Sequence, residues 1–361
     1  MTETHADRKT VALIVEGEEV GGAELTFASV AAGLAERYDV VAVLAAGGPL
    51  EARERFQRAG ARVELVKGLR RYCTLPGLFR LVARLRAIGP DVIHVSCPDQ
   101  GGGLAGLVAS RLIGAPTVAT LHLVSPDRSR WRERLSKWAL ARPAAVIAIS
   151  QSIAGYLGHL GIASTLIYNG VANPELRPDA RAHLGLDDAE FVVGGLGRIH
   201  QQKGWDVLCR AATMVREQAP EAEFVVVGDG PERQSYAART ECAPVRFVGY
   251  EPNASSLLAA FYVLAVPSRW EGFGRVAVEA MLAGVPVIAA DVGGLSEVVD
   301  DAGLLVPSEQ PEPLAGAILE LARDPARRQS LATRGHRRAV ERFSTQRMLE
   351  EIQALYRSLI R

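Results

Sequence analysis

Short runs of consecutive apolar residues alternate along the chain with longer stretches that have helical spacing. In the first half these runs are continuously apolar, which is typical of parallel strands covered by helices on both faces. They are TVALIVEG (10–17), DVVAVLAAGG (39–48), ARVELVKG (61–68), DVIHVSC (91–97), PTVATLH (116–122), AAVIAIS (144–150) and STLIYNG (164–170). The pattern predicts βαβ units in a doubly wound parallel sheet.

The second half repeats this plan after a polar, proline-bearing stretch at 171–188, which is typical of a linker. Its predicted strands are 191–199, 223–230, 245–250, 262–268, 285–291 and 303–307. We therefore predict an α/β protein of two facing Rossmann-like domains, 1–172 and 173–342, with a cleft between them that receives the ligands. The segment 343–361 predicts an amphipathic helix that crosses back to the first domain.

Composition narrows the class of protein. A length of 361 residues favours two domains, since one core rarely grows beyond about 250–300 residues. The 41 Lys and Arg balance 41 Asp and Glu, which argues against a nucleic-acid partner. Residues 1–170 carry 20 Lys and Arg against 15 Asp and Glu, a small bias toward an anionic acceptor or a membrane surface.

Cysteine usage and hydropathy suggest the compartment. The four cysteines have no metal-site spacing, so they predict reduced thiols of a cytoplasmic protein. The polar start does not resemble a signal peptide, and no run of about 18 apolar residues predicts a membrane-spanning helix. We expect a soluble protein that at most touches a membrane surface.

Two strand ends have the residues to approach a phosphate. Gly21 and Gly22 follow the first strand and open a helix, where backbone N–H groups attract anions. A tight turn that packs well explains them equally. GRIHQQKG (197–204) follows the first strand of the second half, and its Arg198 and Lys203 suit a pyrophosphate. A solvated basic loop is the alternative there.

RWEGFGRVAVEAML (269–282) places two carboxylates in apolar and glycine-rich surroundings. The flanking glycines put Glu271 in a loop, whereas Glu279 lies on a helix that is apolar nearly all round. A buried carboxylate requires partners, and a ribose offers two hydroxyl donors to Glu279. Glu271, beside the backbone N–H groups of Phe273 and Gly274, suits the hydroxyls of a second sugar. A structural ion pair with a nearby arginine is the alternative, the candidates being Arg269 and Arg275.

The spacing of these two glutamates inside EGFGRVAVEAMLAGVPVIAADVGGLSEVV (271–299) resembles the signature of family four of the retaining glycosyltransferases, which have the GT-B fold. Further segments agree in order with that family: GGAE (21–24), TLH (120–122), VIAIS (146–150), YNGV (168–171), GRIHQQKG (197–204), VVGDGP (226–231), RFVGY (246–250) and GLLVP (303–307). The resemblance covers nearly the whole chain and is most specific between residues 267 and 307.

The resemblance implies a role for each matching residue of the donor site. Arg198 and Lys203, with the backbone near Gly22, would bind the pyrophosphate of a nucleotide-sugar donor, and Glu279 would hold its ribose. The base would meet the end of a strand at Val248 and Gly249.

The resemblance also implies which residues surround the transferred sugar. Glu271, with the backbone N–H groups of Phe273 and Gly274, would hold its hydroxyls. His122, at the end of TLH, matches the family's histidine near that sugar, and we expect a hydrogen-bonding role that positions the sugar. The predicted catalytic residues are therefore His122 and Glu271.

The sequence departs from the family pattern at Gln202, where relatives commonly carry an acid, at Ala172 in NGVA, and in the shortened loop VVDDAGLLVP (298–307). None of these changes removes a donor-binding residue. No Asp-x-Asp occurs in the chain, so Arg198 and Lys203 would replace the charge of a metal. We expect no metal and no other cofactor.

The sequence therefore predicts a metal-independent, retaining, hexosyl-type glycosyltransferase that uses a UDP- or GDP-sugar and a hydroxyl-bearing acceptor, such as a glycan, glycolipid or natural product. A same-fold glycoside phosphorylase or synthase and a non-catalytic nucleotide-sugar-binding protein are the alternatives. Loops 68–78 and 96–104 would shape the acceptor pocket. The basic stretch 125–142 could contact a membrane surface, but inward packing of Trp131 and Trp138 is the favoured interpretation.

Overall fold

A computed structural model of the protein describes residues 8–17, 21–69, 74–126, 130–187 and 189–360. Its contacts divide the chain into two compact units. The first, here called the N-unit, comprises Met1–Gly170 and Thr345–Arg361, and the second, the C-unit, comprises Val171–Ser344. Each unit is built on a parallel β-sheet, which confirms the predicted α/β class.

The N-unit sheet is formed by β1 (Thr10–Val15), β2 (Asp39–Ala45), β3 (Arg62–Val66), β4 (Val92–Cys97), β5 (Thr117–Leu121), β6 (Ala145–Ala148) and β7 (Thr165–Leu166). Its helices include α1 (Gly22–Leu34), α2 (Leu50–Arg58), α3 (Leu75–Ile88), α4 (Leu104–Ile113), α5 (Arg130–Leu140) and α6 (Gln151–His159). The strands lie in the order β3-β2-β1-β4-β5-β6-β7, all parallel. The chain therefore changes direction across the sheet between β1 and β4, which creates a topological switch point.

The C-unit sheet is formed by β8 (Phe191–Leu196), β9 (Ala222–Val227), β10 (Val245–Gly249), β11 (Val263–Val266), β12 (Val287–Ala290) and β13 (Leu304–Val306). Its helices are α7 (Ala180–His183), α8 (Trp205–Arg216), α9 (Arg233–Ala237), α10 (Arg275–Leu282), α11 (Gly293–Val299), α12 (Pro311–Arg323) and α13 (Pro325–Arg342), with short 3-10 helices at Gln201–Lys203, Thr240–Cys242, Ala254–Ala260 and Asp300–Ala302. The strand order β10-β9-β8-β11-β12-β13 repeats the switch, here between β8 and β11. Every predicted apolar run overlaps one of the thirteen strands.

The last helix, α14 (Thr345–Leu359), returns to the N-unit. Its Met348, Ile352 and Tyr356 are buried in the N-unit core together with Phe27. The Tyr356 hydroxyl lies 2.6 Å from Nδ1 of the buried His94, so this helix also provides a polar contact to β4. Helix α14 is thus part of the N-unit although it follows the C-unit in the sequence.

Part of the stretch 171–188 that was expected to be a linker packs in the C-unit. Helix α7 lies within it, and Ala180, Leu184 and Leu186 are buried. Val171 pairs with Ser344 at the other end of the unit. The linker prediction is wrong for these residues because three small or aliphatic side chains suffice to anchor an otherwise polar segment.

Cys209 and Cys242 form a disulfide, so the expectation of reduced cysteines is wrong for this pair. They are 33 positions apart, without a spacing motif, and meet because α8 packs against the 3-10 helix that ends at Cys242. Cys97 is a buried free thiol, and Cys73 lies outside the described residues.

Helix α5 exposes its tryptophans, which corrects the expectation that they pack inward. Trp131 is 59% and Trp138 43% exposed, whereas Ser136, Ala139 and Leu140 form the buried side. The Arg111 guanidinium lies over the Trp138 ring at 4.3 Å from its centroid. Contact of this surface with a membrane stays a prediction. None of the described helices is long and apolar enough to cross a membrane.

Candidate functional site

The loop after β8 presents Lys203 at the carboxyl end of the C-unit sheet. Gly197 directly follows the strand with φ 143°, and a Cβ there would lie 3.6 Å from Lys203 Cε, so the lysine side chain passes close over this glycine. The 3-10 helix carrying Lys203 ends at Gly204, whose φ is 67°. A Cβ on Gly204 would meet the Pro267 carbonyl oxygen at 2.1 Å, so only glycine allows this turn to approach the next strand end.

Lys203 forms an ion pair with Glu271 in this position. The Lys203 ammonium donates to Oε1 of Glu271, and the hydroxyl of the fully buried Ser268 donates to the same oxygen at 3.2 Å. The Glu271 side chain is only 11% exposed. The structure thus joins two predicted donor-binding residues that are 68 positions apart in the sequence.

Two glycines of α11 shape the loop that follows Glu271. A Cβ on Gly293 would lie 2.2 Å from the Glu271 carbonyl oxygen, and one on Gly294 would lie 2.1 Å from that of Gly272. The Gly294 N–H donates to the Glu271 carbonyl at 3.1 Å. This close packing fixes the course of the loop before Phe273, so the loop geometry depends on both glycines.

Phe273 and Gly274 lead from this loop into α10. The Phe273 ring is buried edge-on against Phe343, with centroids 5.4 Å apart. Gly274 has φ 93° and precedes Arg275, the first residue of the helix. The backbone at these positions therefore forms a helix N-terminus directly beside Glu271, where an electronegative group is stabilised.

Glu279 is paired with an arginine of its own helix. Arg275 Nε donates to Glu279 Oε1 at 2.9 Å, while Arg275 Nη1 is buried and has no hydrogen-bond partner in the described part of the chain. Burial raises the pKa of Glu279, and the Arg275 charge opposes this effect. The ion pair left open as an alternative is therefore present for Glu279. Arg269 instead binds Asp206 and Glu309, so it partners neither site glutamate.

The remaining predicted C-unit residues lie at neighbouring strand ends. Arg198 is exposed directly after β8, and its carbonyl accepts a hydrogen bond from Trp205 Nε1 at 2.9 Å. Val248 and Gly249 end β10, where the Gly249 carbonyl accepts from the Gly228 N–H at 2.8 Å. β8 and β10 both flank β9, so their carboxyl ends lie at the same edge of one sheet.

Sequence reasoning missed Arg233 at this edge. Its guanidinium lies 3.4 Å from the Val248 carbonyl oxygen, and a Cβ on Gly249 would come within about 3.0 Å of it. Arg233 follows the VVGDGP segment on the short helix α9, and no spacing in the sequence connects it with residues 248–249. It adds a third cation to the strand ends that carry Arg198 and Lys203.

His122 lies at the carboxyl end of β5 in the N-unit. Its backbone N–H donates to the Cys97 carbonyl at 3.0 Å, and its ring packs edge-on against Phe27. The side chain is buried, and neither ring nitrogen has a hydrogen-bond partner among the described residues. Burial lowers the pKa of His122 to about 3. The imidazole is therefore neutral near pH 7, with one donor and one acceptor available.

A second buried histidine supports the same face of the N-unit sheet. His94 Nδ1 lies 2.6 Å from the Tyr356 hydroxyl, and its Nε2 lies 2.6 Å from Thr120 Oγ1. The Phe27 ring contacts both His94 and His122. The hydrogen bond of His94 to Thr120 fixes the end of β5, and its ring packs against Phe27, which contacts His122. These contacts position the His122 side chain.

The β1–α1 connection places Gly22 as the first residue of α1. The Glu24 carboxylate accepts a hydrogen bond from the Gly21 N–H at 3.0 Å, which closes the turn. A Cβ on Gly22 would meet no atom within 4 Å. Packing within the described residues therefore does not require glycine at 22, and a close approach of a ligand to the backbone is a reason for it.

A cavity of about 160 Å³ lies at the carboxyl ends of β1, β2 and β3. Its polar side chains are Glu24 and Arg53. The loops expected to shape an acceptor pocket, 68–78 and 96–104, do not line it, and residues 70–73 lie outside the described ones.

Both units match family models of glycosyltransferases. Residues 20–172 match Glycosyltransferase Family 4, and residues 190–324 match Glycosyl transferases group 1. The chain is 33% identical over 337 residues to 2-deoxystreptamine N-acetyl-D-glucosaminyltransferase of Streptomyces fradiae, covering 81% of this chain and 80% of that protein. It is 32% identical over 244 residues to the lipopolysaccharide core biosynthesis mannosyltransferase LpsB of Rhizobium meliloti, covering 63% of this chain and 69% of that protein.

Solved structures agree with these matches. The crystal structure of Anabaena Alr3699/HepE in complex with UDP-glucose has a TM-score of 0.85 and 26% identity, over 97% of this chain and all of that one. The two parallel-sheet units thus define a GT-B glycosyltransferase fold. Within that class the chain belongs to glycosyltransferase family 4, which confirms the family indicated by the motifs around Glu271.

Proposed function

We propose that the protein is a retaining, metal-independent glycosyltransferase that moves a sugar from a nucleotide-sugar to an acceptor hydroxyl. The observation that carries the proposal is the Lys203–Glu271 ion pair beside the N-terminus of α10. A cation for a phosphate, a carboxylate for sugar hydroxyls and a helix N-terminus meet there, and a nucleotide-sugar presents matching groups.

The donor roles follow from the position of each residue in the C-unit. Arg198 and Lys203 would bind the diphosphate, and Glu279 would accept hydrogen bonds from the ribose hydroxyls. The base would lie at Val248 and Gly249, beside Arg233. A UDP-sugar is favoured over a GDP-sugar because the similar Anabaena structure contains UDP-glucose.

The transferred sugar would lie against Glu271 and the backbone N–H groups of Phe273 and Gly274. His122, which is neutral because burial lowers its pKa to about 3, would position this sugar through a hydrogen bond. Gly22 would let the backbone approach the diphosphate. The N-unit would also hold the acceptor.

In the proposed reaction the bond from the anomeric carbon to the donor phosphate oxygen breaks, and a bond to the acceptor oxygen forms on the same face. The departing phosphate takes the proton of the acceptor hydroxyl. Lys203 and Arg198 stabilise the negative charge that develops on the diphosphate, which is the contribution a metal makes in other enzymes. We therefore propose that no metal is required.

The acceptor molecule differs between the two similar proteins. One is named for 2-deoxystreptamine and the other for a lipopolysaccharide core, and they transfer different sugars. A hydroxyl-bearing acceptor is the common requirement.

The test is a transfer assay with UDP-glucose, UDP-N-acetylglucosamine and GDP-mannose in the presence of EDTA. We expect release of one nucleoside diphosphate and a product that keeps the anomeric configuration of the donor. An inverted product, or a metal requirement, would contradict the corresponding part of the proposal. Formation of a sugar 1-phosphate from glycoside and phosphate would indicate a phosphorylase, and nucleotide-sugar binding without turnover would indicate a binding protein.

A further inference from the structure

The switch point of the N-unit sheet contains a carboxylate that sequence reasoning did not single out. Glu16 directly follows β1, and the sheet order reverses between β1 and β4. The register pairs Ile14 with Val95, which places Glu16 beside Cys97 at the end of β4. In open α/β sheets ligands bind outside the carboxyl ends of the strands at such a point.

Glu16 uses one of its two carboxylate oxygens in hydrogen bonds with the described residues. Oε1 accepts a hydrogen bond from the Gly106 N–H at 2.7 Å, and the backbone of Gly103 and Ala105 at the start of α4 also lowers the pKa of the carboxyl group. Oε2 is buried and has no hydrogen-bond partner in the described part of the chain. The side chain as a whole is 3% exposed.

In the described part of the chain, the charged groups that interact with Glu16 and its neighbour Cys97 are acidic. Among the described residues, no Lys, Arg or His forms an ion pair with it. Burial, and after it the charges of Glu16 and Asp99, raise the pKa of the Cys97 thiol, so the neighbouring titratable groups are a thiol and a second acid. Burial also raises the pKa of Glu16 to about 7, against the effect of the α4 backbone. The positive end of α4 and the Gly106 hydrogen bond stabilise the ionised carboxylate.

A helix-capping role explains Oε1 but not Oε2. Leaving a buried oxygen without a hydrogen-bond partner destabilises the folded protein, and a charged oxygen more than a neutral one. The second oxygen is therefore explained by a ligand that donates to it.

We propose that Glu16 Oε2 binds a protonated amino group of the acceptor, so that the acceptor is an amino-bearing polyol such as an aminocyclitol or amino sugar. This inference rests on the proposed glycosyl transfer and specifies the substrate class of the N-unit. An ammonium supplies both a hydrogen bond and a positive charge, neither of which a described side chain provides to Oε2, and charge-assisted bonds are about twice as strong as neutral ones. A hydroxyl would supply the hydrogen bond alone.

The experiment compares 2-deoxystreptamine, a diamino cyclitol, with scyllo-inositol, a cyclitol without amino groups. Calorimetry with the UDP-saturated full chain gives the affinity of each probe for wild type, Glu16→Gln and Glu36→Gln. The Gln variant keeps the shape of Glu16 and removes its charge, and Glu36 is an exposed residue of the same unit. Thermal unfolding verifies that each variant is folded.

We expect wild type and Glu36→Gln to bind 2-deoxystreptamine at least about tenfold more tightly than scyllo-inositol. Glu16→Gln should lose at least about tenfold in affinity for 2-deoxystreptamine and bind scyllo-inositol as wild type does, since the substitution removes the charge-assisted bond to the ammonium alone. Equal affinity of wild type and Glu16→Gln for the diamine overturns the inference, and so does a wild type that favours scyllo-inositol. If Glu16→Gln does not fold, the ratio of the two probes in wild type decides.

The proposed function is tested separately by the UDP titration that precedes each experiment. All three proteins should bind UDP equally, because neither Glu16 nor Glu36 is among the residues proposed to contact the nucleotide. A wild type that does not bind UDP would refute the proposed function rather than the role of Glu16, and the two probes would then be compared on the protein alone.

Discussion

Lys203 and Glu271 form an ion pair at the carboxyl end of the C-unit sheet although 68 residues separate them. Ser268 donates a second hydrogen bond to the same carboxylate oxygen, so the pair has a defined geometry. Each partner stabilises the charge of the other, and both side chains are more than three-quarters buried. A bound nucleotide-sugar would therefore contact a Lys203 ammonium that is already paired with Glu271, rather than a solvated one.

Lys203→Ala should weaken binding of both UDP and inorganic pyrophosphate by about 10–100-fold, since it removes a charge-assisted bond that contributes about 1.5–3 kcal/mol. Calorimetry measures both affinities. Lys67→Ala, which removes an exposed lysine of the N-unit, is the control and should bind as wild type does. Unchanged affinity for both ligands in Lys203→Ala would show that Lys203 does not contact the diphosphate.

Glu279→Gln should discriminate between two parts of the nucleotide. If Glu279 holds the ribose, this variant binds UDP about tenfold more weakly, because a neutral amide accepts a weaker hydrogen bond than a carboxylate. Its affinity for pyrophosphate should not change, in contrast to Lys203→Ala. An equal loss for both ligands would instead mean that Glu279 acts only by orienting Arg275, its ion-pair partner.

Structural features that depend on residues close together in the sequence could be predicted, whereas contacts between distant elements could not. Continuous apolar runs are local signals, and each of them overlaps a strand. Arg275 and Glu279 are four residues apart on one helix, so their pairing could be considered in advance. The Lys203–Glu271 pair and the Cys209–Cys242 disulfide depend on how elements pack, which no local pattern encodes.

Glu16 and the tryptophans of α5 show two further reasons for missed predictions. Glu16 ends an apolar run, where a carboxylate is usually solvated, and its burial follows from the position of α4. The spacing of Trp131 and Trp138 indicates that they share a helix face, but not that this face is exposed. Ser136 and Ala139 are small and buried, and they lie on the side of α5 that packs against the rest of the N-unit.

Gly204→Ala should lower both stability and UDP affinity. The residue has φ 67°, which costs alanine about 1–2 kcal/mol, and its Cβ would overlap the Pro267 carbonyl, so the turn that carries Lys203 must shift. Gly316→Ala is the matched control. It lies within α12 with no atom within 4 Å of an added Cβ, and should raise the free energy of unfolding by about 0.5–1 kcal/mol. Urea unfolding and UDP calorimetry test both variants, and wild-type UDP affinity in Gly204→Ala would contradict the assigned role of this turn.

Glu16 should make the stability of the protein depend on pH. Its pKa rises from 4.5 to about 7 on folding, so between these values the folded protein keeps a proton that the unfolded chain releases. The free energy of unfolding of wild type should therefore fall, relative to Glu16→Gln, by up to about 3 kcal/mol as the pH rises from below 4.5 to above 7. Cys97 and Asp99, the titratable groups beside Glu16, are present in both proteins. Urea unfolding at pH 5, 6, 7 and 8 measures this difference, and a constant difference would contradict the burial of an ionisable Glu16.

His122 should act without changing its charge. Because burial lowers its pKa to about 3, kcat/KM for sugar transfer should show no change attributable to this imidazole between pH 5 and 8. His122→Ala should lower kcat about tenfold through the loss of a neutral hydrogen bond and leave UDP affinity unchanged, because His122 is not among the proposed UDP contacts. His159→Ala, at an exposed histidine of the N-unit, should behave as wild type. A pH dependence near 6.5 that disappears in His122→Ala would show that the imidazole is protonated during the reaction and would refute a purely hydrogen-bonding role.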